Sequence, residues 1–526
     1  MLQSETLDIL KTGANVFLTG APGAGKSYVL REYVSFLASR NVDAAITAYT
    51  GIAASHINGR TLHSWAGLSF AVLTPEQERE RVRMNEHLSA RIRKAKVLII
   101  DEISMLRPEE FMRVDFICKT ARNSLEPFGG LQLICCGDFF QIPPVDKSHG
   151  DQDEAGRARQ TEWSRGDSAI DVMNSFLDAP EATTRQKEIP PEQIETAKFV
   201  IDCPTWHAAN MRVCYLHEQH RQGDAELLTI LDEIRKGNVS TTSRALLVSR
   251  IGAKVQAPVG IARLYTHNEN VDEINAAELL KLKTPPVVYD VTASGAANLI
   301  EKLKKDYRVD KLVLKVGARV MFTRNNPNEG YVNGTLGEIV DFVNADVKEV
   351  VGMVTLVSTE PDPVVLTFDG RQIVVAREEW QFEEDGKVRA HIRQMPLKLA
   401  WAITVHKSQG MTLDAAEIDL SRAFERGMGY VALSRVKSLA NISLLGFNQT
   451  ALEVSDRIKK IDAEFITQSE ETEQYLASLG AEALKHEQEA FLESAKTEND
   501  DDKDARGRAS DELHYEIDEI PTIDFE

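Results

Sequence analysis

From Thr12 to Val145, short apolar runs alternate with longer stretches in which apolar positions recur every three or four residues. That alternation predicts a mainly parallel sheet whose strands are joined by helices. The strands predicted are Val16–Thr19, Ala44–Ala48, Val97–Asp101 and Leu131–Gly137. A helix is predicted from Ser27, directly after the first strand, and a charged helical stretch at Thr74–Lys96 separates the second strand from the third. Residues about 147–197 are polar, rich in Gly, Asp and Glu, and contain Ile189-Pro190-Pro191, the signature of a long surface insertion. Order resumes near Phe199–Trp206. A second α/β pattern spans 207–340 and returns at 396–450. Between its halves lie β-branched runs at Val350–Val357 and Pro363–Phe368, followed by Asp369-Gly370, so 341–395 reads as a small inserted β domain. From 451 onward the pattern weakens to short helices and then a largely disordered tail.

Charge changes the picture of that tail. The chain of 526 residues carries a formal net charge of −20, an unpromising balance for a nucleic-acid partner. Residues 451–526 hold 23 acidic and 8 basic side chains, a balance of −15, which leaves only −5 for the first 450 residues. The body is therefore close to neutral and has room for basic grooves. Apolar content of 43% and charged content of 27% are ordinary for a soluble protein of about three or four domains. No 18-residue apolar stretch exists, and Met-Leu-Gln-Ser-Glu at the start lacks a basic region before an apolar one, so neither a membrane span nor a secretory signal is expected. Five cysteines show no CxxC spacing, and Cys135-Cys136 sit inside an apolar run. Buried, reduced thiols in a reducing cytoplasm are the expectation.

The chemistry is concentrated at the ends of the predicted strands. Gly20-Ala-Pro-Gly-Ala-Gly-Lys26-Ser27 fits GxxxxGK[ST] and follows a strand directly. Its glycines let backbone N–H groups turn inward to cradle phosphates; Lys26 reaches the β- and γ-phosphates, and the Ser27 hydroxyl is placed to ligate Mg²⁺. The helix that follows adds its N-terminal dipole to the anion site. Val97-Leu-Ile-Ile-Asp101-Glu102 is a continuous apolar strand ending in two carboxylates, Asp101 placed to hold Mg²⁺ and Glu102 to orient or deprotonate the attacking water. Gly137-Asp138-Phe-Phe-Gln141 leads another strand into a polar turn, from which Gln141 would reach the γ-phosphate. Phosphoryl transfer also needs positive charge where negative charge develops. Arg221 and Arg435 stand out by context, although spacing alone does not separate them from other arginines. His217 and His220 do not form an HExxH metal site. Thr50-Gly51, Thr61-Leu-His63-Ser-Trp65 and Thr404-Val-His406-Lys407 combine hydroxyls, backbone donors and rings suited to single-stranded nucleic acid. By composition alone, Trp65 is a core residue.

In order along the chain, GAPGAGKS, TAYTGIAA with TLHSW, LIIDEISML, FGG, GDFFQIPPV, LHEQHRQ, VNGTLG, TVHKSQGMTLD and YVALSRV resemble the PIF-type (petite integration frequency) helicases of superfamily one, relatives of the RecD helicases. Gln3, seventeen residues before Gly20, matches that family's adenine-reading glutamine. The resemblance implies two RecA-like P-loop domains with parallel sheets and ATP between them. The first would span 1–206, with a small wedge insertion about 60–90 and the polar loop about 147–197. The second would comprise 207–340 and 396–450, with a small β-barrel inserted at 341–395 and the acidic tail at 451–526. It implies ATP contacts from Gln3, Gly20, Ala21, Pro22, Gly23, Ala24, Gly25, Lys26, Ser27, Tyr28 and Gly410, with Mg²⁺ on Ser27 and Asp101. Arg221 and Arg435 would reach the γ-phosphate from the second domain, and Thr50, Gly51, His63, Thr404, His406 and Lys407 would contact DNA. The implied activity is ATP-driven 5′-to-3′ unwinding of single-strand-tailed or forked DNA by a cytoplasmic, monomeric enzyme able to oligomerise on DNA. Links to DNA repair, recombination and telomere maintenance follow from the same resemblance. A translocase that strips or remodels without processive unwinding shares every ATPase residue; a nucleotide-gated DNA-binding scaffold is the reading from another class. Met428 departs from the family's usual Gln, and the acidic tail, open to a basic protein partner, has no counterpart.

Overall fold

The computed structural model describes residues 1–68, 73–143, 199–218, 224–255 and, with short breaks between 308 and 414, 262–511. The insertion expected at 147–197 falls outside the described residues apart from its flank.

The first sheet contains β1 (Val16–Gly20), β2 (Ala44–Ala48), β3 (Arg60–Thr61), β4 (Val97–Asp101), β5 (Gln132–Cys136) and β6 (Arg212–Leu216). They stand in the order β3-β2-β4-β5-β1-β6 with every pairing parallel. β1, β4 and β5 are buried along their whole length because helices cover both faces. Alternate residues serve opposite cores. Phe17, Leu98, Ile100 and Leu133 pack with Phe111, Val114 and Ile117 of helix Pro108–Arg122. Val16, Leu18, Val97, Ile99 and Ile134 join the core beneath α1 (Gln3–Lys11) and α2 (Lys26–Ser39). All five cysteines are buried free thiols. β6 pairs with β1 from Val16↔Arg212 to Gly20↔Leu216, so the first domain reaches at least Leu216 and not the 206 boundary read from sequence. An apolar pentapeptide carries no mark of which sheet it will join.

The second sheet orders Ala402–Thr404, Ala262–Tyr265, Ala416–Leu420 and Ile442–Phe447, again all parallel. Between helix Asn268–Lys281 and Ala402 the pairing becomes antiparallel. Gln372–Val374, Asp362–Thr367, Leu336–Val343, Arg319–Phe322 and Leu397–Leu399 form one five-stranded sheet in that order. Glu378–Glu384, Lys387–Gln394 and Thr292–Gly295 form a second sheet of three. The insertion therefore opens near Val287 and closes near Leu399, wider than the 341–395 expected. Its earlier strands are only three or four residues long and lack a hairpin signal, so they blend into the surrounding α/β pattern. They are nonetheless core: Val320 and Phe322 are fully buried, and Phe322 stacks on Tyr331 at 4.1 Å.

The tail departs most from expectation. Asp456–Asp511 is helical, bent at Gly480, and residues 456–495 pack on the body instead of being disordered. Phe465 lies 4.9 Å from Phe17, and the Tyr215 N–H of edge strand β6 donates to Ser469 Oγ at 3.0 Å. Beyond the bend, Gln488 donates to the Asp8 carbonyl, and Tyr475 donates across the bend to Glu487 at 2.9 Å. Among the described residues no helix is long and apolar enough to cross a membrane.

Candidate active site

β1 delivers the chain to Gly20 (φ 142°), where a Cβ would sit 2.8 Å from the Leu216 carbonyl oxygen of β6. The loop then curls back to Gly25 (φ 88°), a left-handed position immediately before α2. A Cβ on Gly25 would lie 2.0 Å from Gln3 Nε2, so the Gln3 side chain rests against the loop itself. Gln3 donates from Nε2 to the Ala24 carbonyl (3.1 Å) and from its backbone N–H to Glu218 Oε2 (2.9 Å). The Lys26 ammonium folds over the loop, donating to the carbonyls of Gly20 (2.7 Å) and Ala21 (3.2 Å). Tyr28 faces outward.

Asp101 ends β4, and its Oδ1 accepts the Glu102 N–H at 2.9 Å. Glu102 adopts φ 54°, ψ 45°, a left-handed conformation that strains a residue bearing a Cβ. Its Oε2 is buried with no hydrogen-bond partner. Burial, then the neighbouring Asp101 carboxylate, push the Glu102 carboxyl up to about 7 against the pull of Arg435 and Lys26. Beyond β5, the Gln141 N–H donates to the Asp138 carbonyl at 3.2 Å, while its side-chain Oε1 is buried without a partner.

The opposite wall comes from the second domain. Helix Met428–Ser434 ends in Arg435, whose Nε donates to the Val431 carbonyl (3.1 Å) and Nη2 to Ser434 Oγ (3.0 Å). A cavity of about 160 Å³ joins Pro22, Gly23, Lys26, Ser27, Asp101, Glu102 and Gln141 to Gly410 and Arg435. Gly20, Ala21, Ala24, Gly25, Gln3 and Tyr28 do not line it. Arg221 lies outside the described residues. Sequence reasoning missed Met411 and Ser434, which line the same cavity; each directly adjoins a predicted residue, and that adjacency was the available signal. Met428 is fully buried in the core. A larger cavity, about 780 Å³, lies between the first domain and the C-terminal helix and contains none of the predicted residues.

The six residues expected on DNA fall into two groups. Thr50 Oγ1 accepts the Ala53 N–H (3.2 Å) at the start of helix Gly51–His56, and Gly410 of the second domain faces Thr50 and Ala53. His63 Nε2 stands 3.2 Å from Glu110 Oε1, with its ring edge-on to Tyr49 at 5.6 Å. In the second domain Thr404 is buried, and its Oγ1 accepts the Lys407 N–H at 3.4 Å. The His406 Nε2 is buried without a hydrogen-bond partner, and burial pushes its pKa down.

Two parallel-sheet domains closing a phosphate loop and an acidic strand end against an arginine define a RecA-like P-loop NTPase of the two-domain kind. The family described as PIF1-like helicase matches residues 5–189, and that described as DNA helicase Pif1, 2B domain, matches 307–342, inside the antiparallel insertion. The chain is 39% identical over 537 aligned residues to the ATP-dependent DNA helicase Pif1 of Psychrobacter sp. (strain PRwf-1), covering 94% of this chain and 75% of that protein. Its structure is similar to that of Pif1 helicase from Candida albicans, with a TM-score of 0.71, 30% identity and coverage of 88% and 98%. It is also similar to Pif1 helicase from Bacteroides in complex with ADP-AlF3 and ssDNA, with a TM-score of 0.65, 28% identity and coverage of 89% and 97%. The chain belongs to the PIF1-like helicase family.

Proposed function

We propose that this chain is an ATP-dependent DNA helicase that moves 5′ to 3′ along single-stranded DNA and separates the duplex or fork ahead of it. The observation that carries the reading is the shared cavity: Lys26, Asp101, Glu102 and Gln141 on one wall, Gly410 and Arg435 on the other. Hydrolysis in such a site responds to domain closure, because only closure brings both walls to one phosphate. Lys26 neutralises the β- and γ-phosphates. Glu102, raised to about 7, is poised near neutral pH to accept a proton from the attacking water. Gln141 and Arg435 take the γ-phosphate from opposite sides, and Arg221 adds a second cation. Among the groups that line the cavity, the Ser27 hydroxyl and the Asp101 carboxylate form an oxygen set that fits Mg²⁺, which is commonly held by one or two carboxylates together with substrate phosphates. Mg²⁺ bound there would offset phosphate charge. Gln3 stands where it can read the adenine.

Thr50, Gly51, His63, Thr404, His406 and Lys407 form the strand track, supported by the single-stranded DNA in the Bacteroides relative. Polarity rests on the family alone. The five buried free thiols support a reducing cytoplasmic setting.

Strand separation on 5′-tailed and 3′-tailed duplexes tests the reading. Unwinding with ATP of the 5′-tailed substrate is expected, and activity confined to the 3′-tailed one rejects the polarity. Displacement of bound protein without strand separation would instead identify a remodeller. Lys26→Ala and Glu102→Gln should each cut DNA-stimulated hydrolysis by about 100-fold or more; undiminished phosphate release in both contradicts the site.

A further inference from the structure

We propose that Arg235 is a positioning residue for ATP hydrolysis, locking the turn that carries Gln141 in the first domain to the helix that carries Arg435 in the second. The inference rests on the roles proposed above for those two residues. Arg235 projects from helix Ala225–Lys236 and is 6% exposed. Its Nη1 donates to Asp138 Oδ2 (3.0 Å) and to the Tyr430 hydroxyl (2.9 Å), and that hydroxyl in turn donates to Asp138 Oδ2 at 2.6 Å. Asp138 opens the turn to Gln141: its Oδ1 accepts the Phe140 N–H (3.1 Å), and its carbonyl accepts the Gln141 N–H (3.2 Å). Tyr430 sits five residues before Arg435, on the helix that ends there. The guanidinium also lies 4.2 Å from the centre of the Phe140 ring, directly beside Gln141. One planar fork therefore fixes both walls of the cavity.

A second half of the cluster repeats the chemistry away from the site. Arg235 Nη2 donates to the Tyr215 hydroxyl (2.8 Å) and to Asp462 Oδ1 (3.3 Å), and the Tyr215 hydroxyl donates to Asp462 Oδ2 (3.2 Å). Each tyrosine accepts from the arginine and donates to a carboxylate. One pair faces the catalytic turn; the other ties β6 to the C-terminal helix. A buried guanidinium is tolerated only when paired in this way, and losing one partner leaves the rest poorly compensated. Lysine keeps the charge but cannot present the fork.

The two tyrosines give matched probes, because Tyr430→Phe and Tyr215→Phe each delete one buried hydroxyl and keep the ring. Melting temperature, ATP KM and DNA-stimulated kcat per titrated nucleotide site are measured for both, beside Arg235→Lys and Arg435→Ala. Tyr430→Phe is expected to lower kcat about tenfold with KM within about twofold, and Arg235→Lys to lower it about 100-fold. Tyr215→Phe should lose similar thermal stability and hold kcat within about twofold. Equal melting shifts with kcat unchanged in both tyrosine variants overturn the proposal, as does a loss carried by KM alone. If Arg435→Ala retains turnover, the reading of the site itself fails; if Arg435→Ala abolishes turnover while Tyr430→Phe holds kcat within about twofold of the wild type, only the positioning role fails.

Discussion

Glu102 carries two burdens at once, a left-handed backbone and a carboxylate buried beside Asp101. Its folded-state pKa of about 7 exceeds the ordinary 4.5, so between those values the folded chain holds the proton more tightly than the unfolded chain. Stability contributed by this group therefore declines as pH rises through that window. Glu102→Gln removes the penalty. Its melting temperature should exceed the wild type's by a few degrees at pH 8, with the gain disappearing toward pH 4.5, even as turnover is lost. A melting temperature at or below wild type at pH 8 would contradict the assignment. In the wild type the base works only when ionised, so kcat/KM for ATP, which follows the free enzyme, should rise about tenfold from pH 6 to pH 8; a flat profile would exclude Glu102 as the base. Lys26, Asp101 and Glu102 were legible because their chemistry is written in contiguous motifs. Arg235 was not. It is one arginine on an amphipathic helix, and its partners Asp138, Tyr430 and Asp462 lie 97, 195 and 227 residues away.

Among the elements, the C-terminal helix shows how composition can conceal a pattern. Its acidic balance reads as disorder, yet Ile458, Ile461, Phe465, Ile466, Tyr475 and Leu476 recur at helical spacing. Ser469 and Thr472 continue the stripe and are buried, where small polar groups suit an edge strand whose N–H groups need acceptors. Gly480 makes the second arm possible: its φ 69°, ψ 163° is a region nearly closed to residues with a Cβ. Gly480→Ala meets no steric neighbour within 4 Å, so its effect isolates the backbone. Destabilisation by about 1–3 kcal/mol is expected, read as faster hydrogen exchange in 484–495 and in α1 with β4 protected as before. Unchanged exchange in both segments would contradict a fixed bend. Strands β1, β4 and β5 of the first parallel sheet were legible for the opposite reason, since burial on both faces makes each a nearly continuous apolar run; in the second sheet a strand such as Ala416–Leu420, buried only at alternate residues, carries no such run. The antiparallel insertion was half legible, where Asp369-Gly370 marks a turn, and hidden where three-residue strands such as Leu312–Leu314 carry no such mark.

At the scale of the molecule, the charge is segregated. The C-terminal helix docks on β6, one edge of the first sheet, whereas β2 leads to Thr50 four strand spacings away. At ~4.8 Å per spacing that separation is about 19 Å. In the second sheet, Ala402–Thr404, which leads to His406 and Lys407, is the edge strand opposite Ile442–Phe447, from which the chain enters the helix. The acidic arms thus stand away from both halves of the proposed strand track. The Debye length is about 8 Å at 0.15 M salt and about 30 Å at 0.01 M. Across ~19 Å, screening leaves roughly a tenth of a surface charge's influence at the higher salt and about half at the lower. Glu470, Glu471, Glu482 and Glu489 are exposed on these arms. Replacing all four with glutamine should change affinity for single-stranded DNA by less than about twofold at 0.15 M salt, and raise it several-fold at 0.01 M. Anisotropy titrations at the two salt concentrations check this. Marked tightening at 0.15 M would mean that the helix reaches the strand track and competes with DNA there, whereas tightening only at low salt assigns the acidic arms a long-range repulsion that cellular ionic strength largely removes.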